Sequence, residues 1–298
     1  MAASSIVLAN LFFCILMELL RAQSTRNTGS TVLLLGAANL VLGVVLFISS
    51  ALPKNKAGTH IRVLDWRGII LWAAGYSTTY LLFLLNPEFF MVVHLTVAAA
   101  FAPLLAAFAD RKFGGRERQQ TVKRNSKTET LLPLSLLLGI VISITWSTWP
   151  TIMNAPAVAL GGSLIMVMTM TASQMGLRRC AQAGVASPSI GRAALINGLA
   201  LLAVGSLKSG TPTSPGIPGL FLIPFALALA IFGIQKLILF GIRNSSRTAS
   251  ALALSTAVPL SVLLPGSGAS GLTLLLALSY CLVVLWISRR ASSSVTPE

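Results

Sequence analysis

Apolar residues run along this chain in about ten stretches of roughly 17–24 residues, and lysine and arginine gather in alternate gaps between them. A bilayer core about 30 Å thick takes about 20 apolar residues per spanning helix, and helices cross it because they satisfy their own backbone. The pattern predicts an all-α integral membrane protein. The predicted spans are Ser4–Leu20, Ser30–Leu52, Gly68–Leu85, Phe89–Ala109 and Leu131–Trp149. They continue with Pro156–Gly176, Ile190–Leu207, Gly219–Ile242, Ala249–Pro265 and Gly271–Ser288.

The polar gaps orient the chain. With a cytoplasmic amino terminus, eighteen of the 22 basic residues fall on the inner side. Arg21, Arg26 and Lys208 fall outside, and Lys236 lies within the eighth span. Such a bias is the positive-inside signal. It places both termini in the cytoplasm of a multi-pass protein of the cell membrane, and it explains a net charge of +15 without nucleic acid. Residues 110–130 form a basic inner linker suited to anionic lipid headgroups. Composition agrees: 10% of residues are charged and mean hydropathy is +0.82, against about 25% charged in soluble domains.

The first span lacks a basic leader and carries Glu18, so it reads as a retained span, not a cleaved signal. The sequon Asn244-Ser245-Ser246 falls on the inner side and is expected to be unused. Cys14, Cys180 and Cys281 have no disulfide or metal spacing.

The spans divide into two sets of five, residues 1–150 and 151–298, which align at an offset of about 156 residues. Pro103 and Pro259 then fall at equivalent places, each after a run of small residues. Because five is odd, the second set enters the membrane in the opposite sense. Inverted repeats of this kind are a transporter architecture, with the site between the halves.

Ten spans in 298 residues, the short turn Asn86-Pro87-Glu88 and the Pro103 and Pro259 segments resemble the EamA-like branch of the drug/metabolite transporter superfamily. The family often has a glutamate after the fourth span, where this chain reads Asp110-Arg111-Lys112, and an acid before the ninth-span proline, where it has Val258. The resemblance implies a divergent member, with export as the direction and the eighth span contributing to the substrate cavity.

Ionisable groups inside a membrane are costly and mark function by default. Lys236, six residues from the inner end of its span, either snorkels to the interface or meets an anionic cargo, with Gln235 beside it. Glu18, Tyr80 and His94 form a candidate outer gate or protonation site for proton coupling, since histidine titrates near pH 6.5. Asn10, Tyr76, Thr169 and Thr171 are candidate substrate-binding groups, and Gln174 and Asn197 belong to the same polar set. Ordinary interhelical hydrogen bonding is the competing role for each. Pro103 and Pro259 are candidate hinges. Gly36 and Gly43 suit close helix packing, within the chain or against a second copy in a homodimer.

Paired acids, a serine nucleophile motif, a phosphate loop and metal spacing are all missing from the sequence, so no enzymatic role and no cofactor are expected. The expected function is secondary transport of a small metabolite, as exporter or exchanger. A lipid or lipid-linked substrate flippase, or a membrane assembly factor, is the alternative.

Overall fold

The computed structural model describes residues 2–24, 28–51, 64–85, 92–113, 127–183, 186–208, 217–264 and 269–293. Every element among them is an α-helix. In the first half these are α1 (Ala2–Ser24), α2 (Thr28–Ala51), α3 (Trp66–Leu85), α4 (Val92–Phe113) and α5 (Lys127–Ser147). The short α6 (Trp149–Asn154) leads to α7 (Pro156–Ala183), α8 (Ala186–Lys208) and α9 (Ile217–Arg243). Last come α10 (Arg247–Leu254), α11 (Ala257–Leu263) and α12 (Gly271–Ser293). The turn at residues 86–88, most of the basic linker and the segment 209–216 lie outside the described residues.

Among the described residues, five segments are long and apolar enough to cross a membrane: Ala2–Leu20, Gly29–Ser50, Pro156–Ala183, Ser187–Leu207 and Leu222–Arg243. Shorter apolar helices cover Thr96–Ala109, Leu131–Ser147, Arg247–Leu263 and Gly271–Ile287. Their outward faces are as oily as their inward ones. On α1, Leu8, Phe12, Ile15 and Leu19 follow helical spacing and are all exposed, while Ile6, Asn10, Cys14 and Met17 are buried. Water would penalise so large an apolar patch, whereas lipid accepts it. This is the surface of a multi-pass membrane protein.

Glycine sets the closest packing. Gly36 and Gly43 of α2 face Gly191, Gly198 and Gly205 of α8, spaced by sevens, so one stripe runs down each helix. A Cβ on Gly43 would sit 2.7 Å from the Leu195 amide nitrogen, and one on Gly198 2.6 Å from that of Leu40. The partner of the Gly36–Gly43 stripe is therefore α8 of the same chain. Residues 33, 36 and 43 meet residues 205, 202 and 195 in turn, so α2 and α8 run antiparallel. The α3–α7 pair follows the same rule, with Gly75 against Thr169 and Ser173, and Gly176 against Trp72. Without a hydrophobic drive between helices in lipid, such backbone contact and interhelical hydrogen bonds hold a bundle together.

Other pairings complete the bundle: α1 with α9, α2 with α9, α3 with α8, α4 with α7, and α5 with α12. Helices α10 and α11 both pack on α1 and on α4. Polar links tie these pairs together. Ser77 Oγ on α3 donates to Asn197 Oδ1 on α8 at 2.6 Å, and Thr79 Oγ1 to Thr169 Oγ1 at 3.1 Å.

Candidate functional site

The predicted ninth span is broken in two, and Pro259 gives the reason. Proline lacks an amide hydrogen, and its ring crowds the carbonyl four residues back, here that of Ser255. The chain turns at Ser255–Thr256, where Thr256 N donates to Ala253 O at 3.2 Å and Val258 N to Ser255 O at 3.3 Å. These tighter bonds leave the carbonyls just before the break without their regular helical donors. Side chains from elsewhere take over. Asn10 Nδ2 on α1 donates to Ala253 O and Leu254 O, both at 2.9 Å, and to Thr256 Oγ1 at 3.0 Å. Tyr280 Oη on α12 donates to Leu252 O at 3.0 Å. Ser255 Oγ reaches across to Ala100 O on α4, also at 3.0 Å. Irregular backbone at membrane depth is tolerated where protein satisfies it or where it borders a cavity. Both conditions hold here.

A cavity of about 110 Å³ opens beside the break, several times what a single water needs on this measure, ~10–15 Å³. Helices α1, α3 and α4 contribute Asn10, Phe13, Trp72, Tyr76, Tyr80 and Pro103 among others. Helices α7, α9, α10 and α11, which pack against them, contribute Ser173, Gln174, Ile234, Gln235 and Ala257 among others. Tyr76 Oη donates to Tyr80 Oη at 2.9 Å, and the Phe13 ring meets Tyr80 edge-on at a centroid distance of 6.5 Å. No carboxylate, lysine, arginine or histidine stands in the wall among the described residues. The polar groups that do face it are amides and hydroxyls. Gln235 is 5% exposed, and neither its Nε2 nor its Oε1 has a partner among the described residues; Gln174 Oε1 is in the same position.

The candidates read from the sequence separate around this cavity. Asn10, Tyr76, Tyr80, Gln235 and Pro103 line it. Thr169 stands one step behind, bonded to the wall residue Thr79. The Thr171 hydroxyl is buried away from the wall. Lys236 is turned from the cavity toward α8: its Nζ donates to Ser187 Oγ at 2.7 Å and sits 5.4 Å from the Phe232 ring centroid. Glu18 is exposed on α1 and forms no part of the wall, whereas Tyr80 is buried. His94 falls in the first turn of α4, and its side chain lies outside the described residues. Pro259 is buried at the break itself. Phe13, Trp72, Thr79 and Ser173 are wall residues that sequence reasoning missed. The helical spacing Trp72, Tyr76, Thr79 on α3 and Met170, Ser173, Leu177 on α7 carried that signal.

Where α3 begins, Asp65 pairs with Arg179 of α7, Nε to Oδ2 at 2.8 Å, and accepts the Gly68 amide at 3.0 Å. Burial pushes the Asp65 carboxyl up, but the Gly68 amide and the Arg179 guanidinium outweigh it and hold the group below the usual 3.8. Next to this pair, the Arg192 guanidinium lies 5.5 Å from the Trp66 ring centroid and 5.9 Å from that of Phe47. The three buried cysteines are free thiols.

No family model matches the sequence, and no curated protein does either. A protein of known crystal structure is similar over 97% of this chain and 98% of its own, with a TM-score of 0.61 at 18% identity. At that identity the likeness concerns the fold alone.

Proposed function

We propose that this chain is a secondary transporter of a small metabolite, an exporter or exchanger of the drug/metabolite transporter type. It works by alternating access through the cavity between two inverted five-helix repeats, with ten spans and both termini in the cytoplasm. The observation that supports the reading is that the most extensive helix pairings map onto one another when the halves are exchanged. Let α1 to α3 stand for α7 to α9, α4 for α10 with α11, and α5 for α12. The α3–α7 pairing then becomes α9–α1, α2–α9 becomes α8–α3, and α4–α7 becomes the packing of α10 and α11 on α1; each of these pairs is present. The α2–α8 and α5–α12 pairs map onto themselves. The cavity is walled by the exchanged helices and borders a broken helix, as substrate sites of inverted-repeat transporters do.

Rocking of one set of helices against the other about the α2–α8 contact would open the cavity to each side in turn. Reconstituted vesicles with imposed pH gradients and a labelled metabolite panel test this. Saturable, protein-dependent flux is expected, and its response to the gradient reads proton coupling. Absence of flux for every solute, with fluorescent lipids translocated instead, would overturn it in favour of a flippase.

A further inference from the structure

Among the described residues, Gln235 carries the one buried carboxamide with neither amide atom, donor or acceptor, partnered. Gln235 is buried on α9 and lines the cavity. Buried polar groups in folded proteins are nearly always satisfied, and those that are not call for a specific explanation. Gln174 on the neighbouring α7 lines the same cavity and carries a second amide, whose Oε1 is buried and unpartnered among the described residues. Around them the wall is aromatic and aliphatic: Phe13, Trp72, Tyr76, Ile231 and Ile234.

We infer that the cavity takes an uncharged small molecule with an amide edge, an N–H donor beside a carbonyl acceptor. Gln235 and Gln174 read that edge, and its flat apolar part rests against Trp72, Tyr76 and Phe13. A glutamine amide offers a donor and an acceptor side by side, and the complement of that pair is another amide edge. A carboxylate would leave water for a wall that holds no cation among the described residues, and Lys236, beside Gln235 in the chain, is directed to Ser187. A purely apolar guest would leave both glutamines unpaired, and sites built to hydrogen-bond reject guests that lack the bonding group. Aromatic rings favour a planar body. The inference deepens the transport reading by naming the cargo class and depends on that reading only for how the cargo moves.

Three near-isosteric probes separate these cases: benzamide, benzoate and acetophenone, which lacks the donor. Radiolabelled benzamide is bound at equilibrium to the purified full chain in detergent, with the other two as competitors. Saturable benzamide binding is expected, with benzoate and acetophenone each at least about tenfold weaker, the size of one net hydrogen bond. Gln235→Leu should weaken benzamide by about tenfold or more. Gln174→Leu, moving in the same direction, serves if the first variant does not fold. Equal competition by benzoate, wild-type affinity in a folded variant, or no saturable benzamide binding would each overturn the inference. Anion flux through vesicles without benzamide binding would sink the inference and leave transport standing. Benzamide binding without flux of any solute would do the reverse.

Discussion

Asn10 and Leu254, 244 residues apart in the chain, are joined by a 2.9 Å hydrogen bond from the Asn10 amide to the Leu254 carbonyl. The bond belongs to a set in which one side chain of α1 serves the open backbone between α10 and α11. Asn10→Leu removes every donor in that set and is expected to destabilise the protein by about 2–4 kcal/mol, the cost of buried carbonyls left unmet. Asn10→Asp should cost at least as much, because an ionised carboxylate cannot donate. Thermal unfolding in detergent checks both, and unchanged midpoints would mean that other contacts hold the break.

The glycines divide into two groups with opposite expected outcomes. Gly198→Ala drives a methyl into the Leu40 backbone, and Gly43→Ala does the same at Leu195. Each should destabilise by about 1–3 kcal/mol. Gly161 on α7 and Gly233 on α9 have nothing within 4 Å of an added Cβ. Alanine there should be neutral or stabilise by up to ~1 kcal/mol, since it loses less freedom in a helix than glycine. The four midpoints, measured side by side, decide whether the α2–α8 contact is as close as described.

Asp65 gives a pH dependence with a definite sign. Its folded-state affinity for protons is lowered, so its contribution is fully present above the usual 3.8 and fades as pH falls through the lower folded value. The Arg179 side chain is 43% exposed, and exposed pairs contribute roughly 0.2–1 kcal/mol. Wild type should therefore exceed Asp65→Asn in stability by a small margin at pH 7, and the margin should close on acidification below that value. A margin that widened in acid would reverse the assignment.

Ser173 is a small wall residue, which makes it a reporter of access. The native thiols, Cys14, Cys180 and Cys281, are buried. A Ser173→Cys variant should react with a small methanethiosulfonate reagent faster than wild type, and a bound cargo should slow the reaction several-fold. Reaction at the wild-type rate would place Ser173 away from the accessible path.

The helices were legible from composition because lipid imposes one simple rule: the described helices fall where the apolar runs do, and five of them are long and apolar enough to cross a membrane. What the pattern could not show was which face of an all-apolar helix looks inward. Gln235 and Lys236 are neighbours on α9, yet the first lines the cavity and the second turns to Ser187 on α8. With lipid on one side and protein on the other, both faces are hydrophobic, and the helical period carries little contrast. The break in the ninth span was hinted at by Pro259, whereas its repair by Asn10 depends on a contact no local pattern encodes.

A cavity wall of amides, hydroxyls and rings also bears on how the proposed transporter would be powered. Membrane voltage acts on moving charge, at about 2.3 kcal/mol per elementary charge per 100 mV. A neutral cargo crossing between walls with no carboxylate, lysine, arginine or histidine among the described residues moves no net charge. The electric field then does no work on the cargo. A carrier of that kind would draw no drive for its cargo from membrane voltage, so the cargo's accumulation would be the same in a polarised membrane and a depolarised one unless an ion moved with it.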